Sequence, residues 1–378
     1  MQRFRNIFFF LIVFAGFGLS FYHLEDRALE RWDETTNVQV VRETMQENSF
    51  PILTYEQKPF MEKPPIWYYL TILSVKVFGD NNFAFRFISA FSNVLLLVSI
   101  IIFCTKKFNW RIAVFSGLTY LSTWQIFINN AGGLFSTHNA RSADVDLLQL
   151  LFIFLSFVFC IEFQASRRIK YILLIALFSG LAVLTKGFMG LLPVLILILW
   201  EAYLIFKQKS ISFQSFKLPT LFTFTFLLIT LPWHIFMYFQ FGQSFINEYF
   251  SYHTAARYFS TLEGHNQPLL FHIQNFFNPQ VFSSGIIFSL GILTLCFKSK
   301  LKEYKYFSLI ASSVLSLILI TLMQTKLAWY LLYIYPIAVI VCGIFYDYVF
   351  MEFRSIVIAK KNIENLKDLH HSKVLINK

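Results

Sequence analysis

The residues able to do chemistry stand at the edges of long apolar runs: Asp33, Glu34, Glu62, Lys63, Arg86, Arg141, Asp144, Asp146, Lys186, Arg257, Glu263, His265 and Lys326. Charge at such edges is costly to hold and marks function more often than charge on a water-facing surface. The paired carboxylates Asp33-Glu34 could take a proton or orient a reacting group. Lysine offers a point charge and arginine a bidentate fork, both suited to phosphate. Asp33, Asp144, Asp146 and His265 are hard or borderline metal ligands. Their spacing matches no metal motif, so the expectation is no cofactor, with a divalent cation as the lesser alternative.

Each residue also has a plainer reading. Lys63, Lys186 and Lys326 could snorkel at the ends of spans. Asp33-Glu34 could be an ordinary acidic helix start, and Arg141-Ser142-Ala143-Asp144 the start of the next apolar run. A loop histidine such as His265 is more often hydrogen-bonded than a ligand. The combination favours a site, because separate helix caps would not gather so many cations.

The elements that hold these residues are membrane helices. Of the 378 residues, 56% are hydrophobic, only 14% are charged and 48 are Phe, well outside the globular range of about 25% charged. About ten runs are long enough to be spans: 7–23, 86–104, 112–129, 145–164, 171–185, 187–206, 218–240, 281–297, 306–324 and 327–349. Thr185-Lys186-Gly187 predicts a tight hairpin between the fifth and sixth. The first run has no convincing cleavage site and reads as an anchor. The expected fold is an all-α polytopic membrane protein, a single domain over 1–353 followed by a basic cytoplasmic tail over 354–378.

The net charge of +11 does not point to nucleic acid, because the basic residues fall in short clusters between spans. Placing those clusters in the cytoplasm puts both termini there. The segments 24–85, 130–144 and 241–280 then lie outside. Within 24–85, Val38, Val41 and Met45 have helical spacing, and Pro64-Pro65 opens a second short interfacial helix over 66–78 with Trp67, Tyr68 and Tyr69. The four cysteines, Cys104, Cys160, Cys296 and Cys342, have neither metal nor disulfide spacing and read as small apolar residues. Cations at an outer face make sense if they meet a lipid phosphate.

Several motifs carry a family resemblance: Asp33-Glu34, Glu62-Lys63-Pro64-Pro65, Gly79-Asp80-Asn81-Asn82-Phe83 with Arg86, and Arg141-Ser142-Ala143-Asp144-Val145-Asp146. Leu184-Thr185-Lys186-Gly187-Phe188, Pro232-Trp233, His253 with Arg257, and Lys326 with Tyr330 and Tyr335-Pro336 continue it. In this order they resemble the GT-C-fold glycosyltransferases that use lipid-linked sugars, especially the aminoarabinose (lipid A) transferase and protein mannosyltransferase superfamily. Larger members carry further spans and a soluble domain.

The resemblance implies inverting transfer from a polyprenyl-phosphate sugar to an extracytoplasmic acceptor: lipid A, another envelope glycan or lipid, or protein. It makes Asp33 the expected catalytic carboxylate, with Glu34 orienting a partner and raising the pKa of Asp33. It places Lys63 by the reacting phosphate, where Glu62, Arg86, Arg141, Lys186, Arg257 and Lys326 are the other expected donor-binding residues. Asp144 and Asp146 are a second acidic pair, and Glu263 and His265 lesser candidates. The rival reading is a transporter or flippase of a lipid-linked saccharide. Such proteins are built on repeats, and the sequence has none.

Overall fold

The computed structural model describes residues 2–127, 137–208, 214–297 and 303–376. The end of the expected span 112–129, residues 130–136 of the segment 130–144, and Lys209, Lys298, Lys300 and Lys302 lie outside the described residues.

The described residues are mostly helical. In order come α1 (Gln2–Phe21), α2 (Asp33–Gln46), α3 (Ile66–Phe78), α4 (Asn82–Lys107), α5 (Trp110–Ser122), α6 (Asp146–Ser166), α7 (Ile169–Val183), α8 (Leu192–Gln208) and α9 (Gln214–Phe241). Short α10 (Gln243–Phe245), a π-helix (Ile246–Ala256) and α11 (Arg257–Phe259) form one winding stretch. Then follow α12 (Phe271–Phe277), α13 (Gly285–Phe297), α14 (Tyr304–Leu322) and α15 (Tyr335–Ile376). A two-residue antiparallel hairpin, Thr54–Tyr55 with Lys58–Pro59, is a small departure from the all-α expectation.

Seven helices, α1, α4, α6, α8, α9, α14 and α15, contain stretches long and apolar enough to cross a membrane. The other three expected spans fall on the shorter apolar helices α5, α7 and α13. All ten expected spans therefore lie on helices, in a multi-pass membrane protein. α15 runs 42 residues and continues into the stretch expected to be the tail.

Local sequence sets the joints. Asn81 caps α4 by accepting from the Ala84 amide, and Asn109 caps α5 through the Arg111 and Ile112 amides, the ordinary work of Asn at a helix start. Gly343 lets α15 lie directly on α5, since a Cβ there would stand 2.9 Å from both Ile112 O and Ser116 N.

The segment before α4 is folded onto the bundle by a core of its own. Val38 and Val41 of α2 and Trp67 and Tyr68 of α3 pack with Phe85 of α4 and Val145 ahead of α6. The α7–α8 turn joins this end: the Ile66 amide donates to Leu184 O at 3.1 Å. Gln149, one turn into α6, donates to Ala182 O and Gly187 O and accepts from Tyr333 Oη at 2.7 Å. A buried glutamine in an apolar helix must find such partners, and here they fix the turn that carries Lys186.

Candidate active site

Three loops of the same end of the bundle meet at the first turn of α2. Lys63 Nζ lies 2.7 Å from Asp33 Oδ1 and 3.3 Å from Asn37 Oδ1. Asn37 also accepts from Tyr68 Oη at 2.7 Å and donates to Ala143 O at 3.0 Å, which ties α2, α3 and the segment before α6 into one frame. The other oxygen of Asp33, Oδ2, lies 3.3 Å from His138 Nε2. This is a charge contact, since the pair is not aligned as a hydrogen bond. His138 Nδ1 donates to Asp146 Oδ2 at 2.7 Å and lies 2.9 Å from Asp144 Oδ2. Lys186 Nζ takes the remaining oxygen of Asp146.

The result is an alternating chain: Lys63, Asp33, His138, Asp146, Lys186. Its inner part is dry, with Asp144, Asp146 and His138 buried, while Asp33 and the two lysines at its ends are each partly exposed. Burial would raise the Asp33 carboxyl, but Lys63 and His138 outweigh it and hold the group well below the usual carboxylate range. The expectation of a raised Asp33 is thus corrected, because Glu34 faces away from it. Burial would likewise lower His138, and Asp144 and Asp146 outweigh it, holding the imidazole well above its ordinary value.

Glu34 and Arg86 form a second unit. Both are fully buried. Arg86 Nε and Nη2 meet Glu34 at 2.8 and 3.1 Å, and the remaining donors go to the carbonyls of Leu24, Arg27 and Ala28. Glu34 also accepts from the Glu30 and Ala143 amides. The expected phosphate ligand Arg86 is therefore a clasp for the 24–34 segment, with its donors spent on the protein. Glu34 orients backbone and not the reacting groups.

The other expected residues divide. Glu62 lies 3.9 Å from His253 Nε2, and Glu248 lies 3.2 Å from the same atom. These three present ligand atoms within 4.8 Å of one another and could hold a divalent ion. Burial lowers His253 to about 3, helped by Arg257 and Lys63. In the other acid–histidine group, His138 with Asp144 and Asp146, Lys186 already meets one oxygen of Asp146. Arg257 meets Glu263 at 3.2 Å. Arg141 lies over Tyr22, its guanidinium 5.9 Å from the ring centre. Lys326 does not join the set: its ammonium caps the Thr321 and Met323 carbonyls at the end of α14, and its amide donates to His265 O.

Sequence reasoning missed His138, Asn37, Glu248 and Trp329, whose ring stacks on His138 at 4.0 Å between centroids. His138 could have been found, since it stands six and eight residues before Asp144 and Asp146 and shares a turn with them. Asn37 is one helical turn beyond Asp33, a weaker signal.

Both the sequence and the fold have relatives among known proteins. Residues 62–236 match the family model of dolichyl-phosphate-mannose-protein mannosyltransferases. An undecaprenyl phosphate-alpha-4-amino-4-deoxy-L-arabinose arabinosyl transferase of Proteus mirabilis is 26% identical over 323 residues, 82% of this chain and 54% of that protein. Its counterpart in Enterobacter is 30% identical over 230 residues, covering 59% and 39% of the two chains. This chain therefore spans about half the length, or less, of these transferases. In three dimensions it resembles ArnT from Cupriavidus metallidurans bound to undecaprenyl phosphate, with a TM-score of 0.74 at 20% identity over 89% of this chain and 59% of that one. An oligosaccharyltransferase of Archaeoglobus fulgidus gives 0.56 at 12% identity, covering 93% and 50%. The chain is thus similar in sequence to aminoarabinose transferases and protein mannosyltransferases, and it shares the GT-C fold.

Proposed function

We propose that the protein is a membrane glycosyltransferase that moves a sugar, with inversion, from a polyprenyl-phosphate donor to an acceptor outside the cytoplasm. The observation that carries this reading is the alternating chain from Lys63 to Lys186, which ends in a cation on each side of Asp33. The acceptor oxygen attacks the anomeric carbon, the bond from that carbon to the phosphate oxygen breaks, and the phosphate leaves with the electron pair. Lys63 and Lys186, with Arg257 nearby, meet the charge that grows on the departing phosphate. The names of the relatives supply the donor class, undecaprenyl phosphate carrying a sugar.

Asp33 is held as an anion by two cations, which makes it a poor proton acceptor and a good electrostatic partner for the sugar as positive charge develops. That favours an acceptor already deprotonated when it arrives, such as the phosphate of an envelope lipid, over a hydroxyl needing a base. The reading puts the site on the extracytoplasmic face of a bacterial inner membrane, with both termini inside. The chemical step runs on side chains, and transfer is expected to survive EDTA.

The test is an assay with purified protein and undecaprenyl-phosphate sugars, aminoarabinose included, offered with phosphate-bearing and hydroxyl-bearing lipid acceptors. Release of undecaprenyl phosphate with sugar on the acceptor is expected. A carrier would move the intact lipid-linked sugar and release none. Transfer unchanged in both Asp33→Asn and Lys63→Ala would remove the site assignment.

A further inference from the structure

We propose that His138 is a positioning residue for transfer, a buried ring that ties Asp33 to the buried Asp144–Asp146 pair and so fixes the spacing of Lys63 and Lys186. The inference rests on the glycosyltransferase reading for its activity arm alone.

Three carboxylates surround one imidazole. Asp33 approaches Nε2 at 3.3 Å, while Asp144 and Asp146 approach Nδ1 at 2.9 and 2.7 Å. A neutral ring has one N–H and would turn a lone pair toward one of these anions; with both nitrogens protonated, each faces an acceptor. The ring is 2% exposed and lies nearly parallel to Trp329, at 10°, a face-on contact that also favours a cation. The charged groups around it are Asp33 from α2, Lys63 from the segment before α3, Asp144 and Asp146 at the start of α6, and Lys186 beyond Asp146. Among the described residues, the 328–333 turn adds Trp329 and Tyr330 and no charge.

The two oxygens of Asp33 are divided between cations of different freedom. Lys63 holds Oδ1 from a partly exposed position and could turn toward an arriving phosphate. His138 holds Oδ2 from beneath and, being buried, has no path to that phosphate. When Lys63 is shared with substrate, His138 alone keeps Asp33 in place. The Nε2 contact is not yet a hydrogen bond, and a small rotation of Asp33 would make it one. Catalytic contacts often tighten in this way only once substrate is bound. Through Asp146 the same ring also sets where Lys186 stands, so one side chain couples both ends of the chain.

The test uses the full-length protein with His138→Gln, which keeps bulk and a neutral donor. The expected result is a kcat lower by about 100-fold with the donor KM within about 3-fold, as for a misplaced reacting group, whereas Lys63→Ala raises KM. A wild-type kcat in His138→Gln overturns the proposal. A second measurement needs neither transfer nor a folded His138 variant: 15N-histidine spectra of the wild type, with His138 assigned as the signal that moves in Asp33→Asn. Movement of the same signal in Asp146→Asn supports the proposal, and its indifference to Asp146→Asn overturns it. If no donor supports transfer by the wild type, the glycosyltransferase reading fails while the spectra still decide the role of His138.

Discussion

Lys63 Nζ lies 2.7 Å from Asp33 Oδ1 although thirty residues separate them in the chain. The contact makes each residue the competitor of substrate for the other. Removing the carboxylate charge with Asp33→Asn frees Lys63, so binding of undecaprenyl phosphate should hold or tighten while transfer falls about 100-fold. Lys63→Ala should do the reverse to binding. Titration with undecaprenyl phosphate, followed by intrinsic fluorescence or native mass spectrometry, separates the two. Asp33→Asn losing binding in step with transfer would count against this division of labour.

The buried Glu34–Arg86 pair predicts a different phenotype. Breaking a buried ion pair from one side leaves the other charge stranded, at a cost of about 3–5 kcal/mol. Glu34→Gln and Arg86→Met should each lower thermal stability and yield. Any protein that does fold should bind undecaprenyl phosphate nearly as well as the wild type. The double variant should regain part of the lost stability. A stable Arg86→Met protein with donor binding abolished would return Arg86 to the phosphate site.

The contrast between Arg86 and Lys63 shows what the sequence can tell. Both are cations in polar motifs at the edge of the membrane, and hydropathy locates both. Nothing local distinguishes Arg86, whose donors are spent on Leu24, Arg27, Ala28 and Glu34, from Lys63, which keeps an exposed edge. That difference is made by the path of residues 24–34, which folds back over α4. The spans, the Thr185-Lys186-Gly187 turn and the two helices of the first loop were legible because each follows from local apolar period, Pro, Gly or Asn. His138 was passed over because its meaning depends on three carboxylates, one of them more than a hundred residues away in the chain.

Stability should carry the signature of His138 and Asp33 on opposite sides of neutrality. The His138 value is raised in the fold, so its contribution is full below the unfolded value of about 6.5. That contribution is lost as pH rises from there through the raised folded value. The Asp33 value is depressed, so its contribution is full above about 3.9 and is lost as pH falls through the folded value. Thermal unfolding in detergent should therefore weaken above pH 6.5, and His138→Gln should flatten that alkaline limb. It should leave the acid limb in place, shifted upward, because Asp33 then has only Lys63. An alkaline limb unchanged in His138→Gln would show that another group is responsible.

Lys186 and Lys326 look alike in sequence, each opening an apolar run, yet the structure gives them different work. Lys186 answers Asp146 and faces Tyr330, with its ammonium 5.9 Å from the ring centre. Lys326 closes α14 by donating to Thr321 O and Met323 O, as a cation at a helix C-terminus does for about 0.3–1 kcal/mol. Burial lowers the Lys326 value, a further sign that it meets carbonyls and not an anion. Lys326→Met should thus cost a small amount of stability, leave the affinity for undecaprenyl phosphate within about twofold and retain transfer. Lys186→Met should weaken that affinity about tenfold, the loss of one charge-assisted contact. Equal loss of affinity in the two variants would mean that Lys326 leaves its helix end for the lipid phosphate when the donor binds.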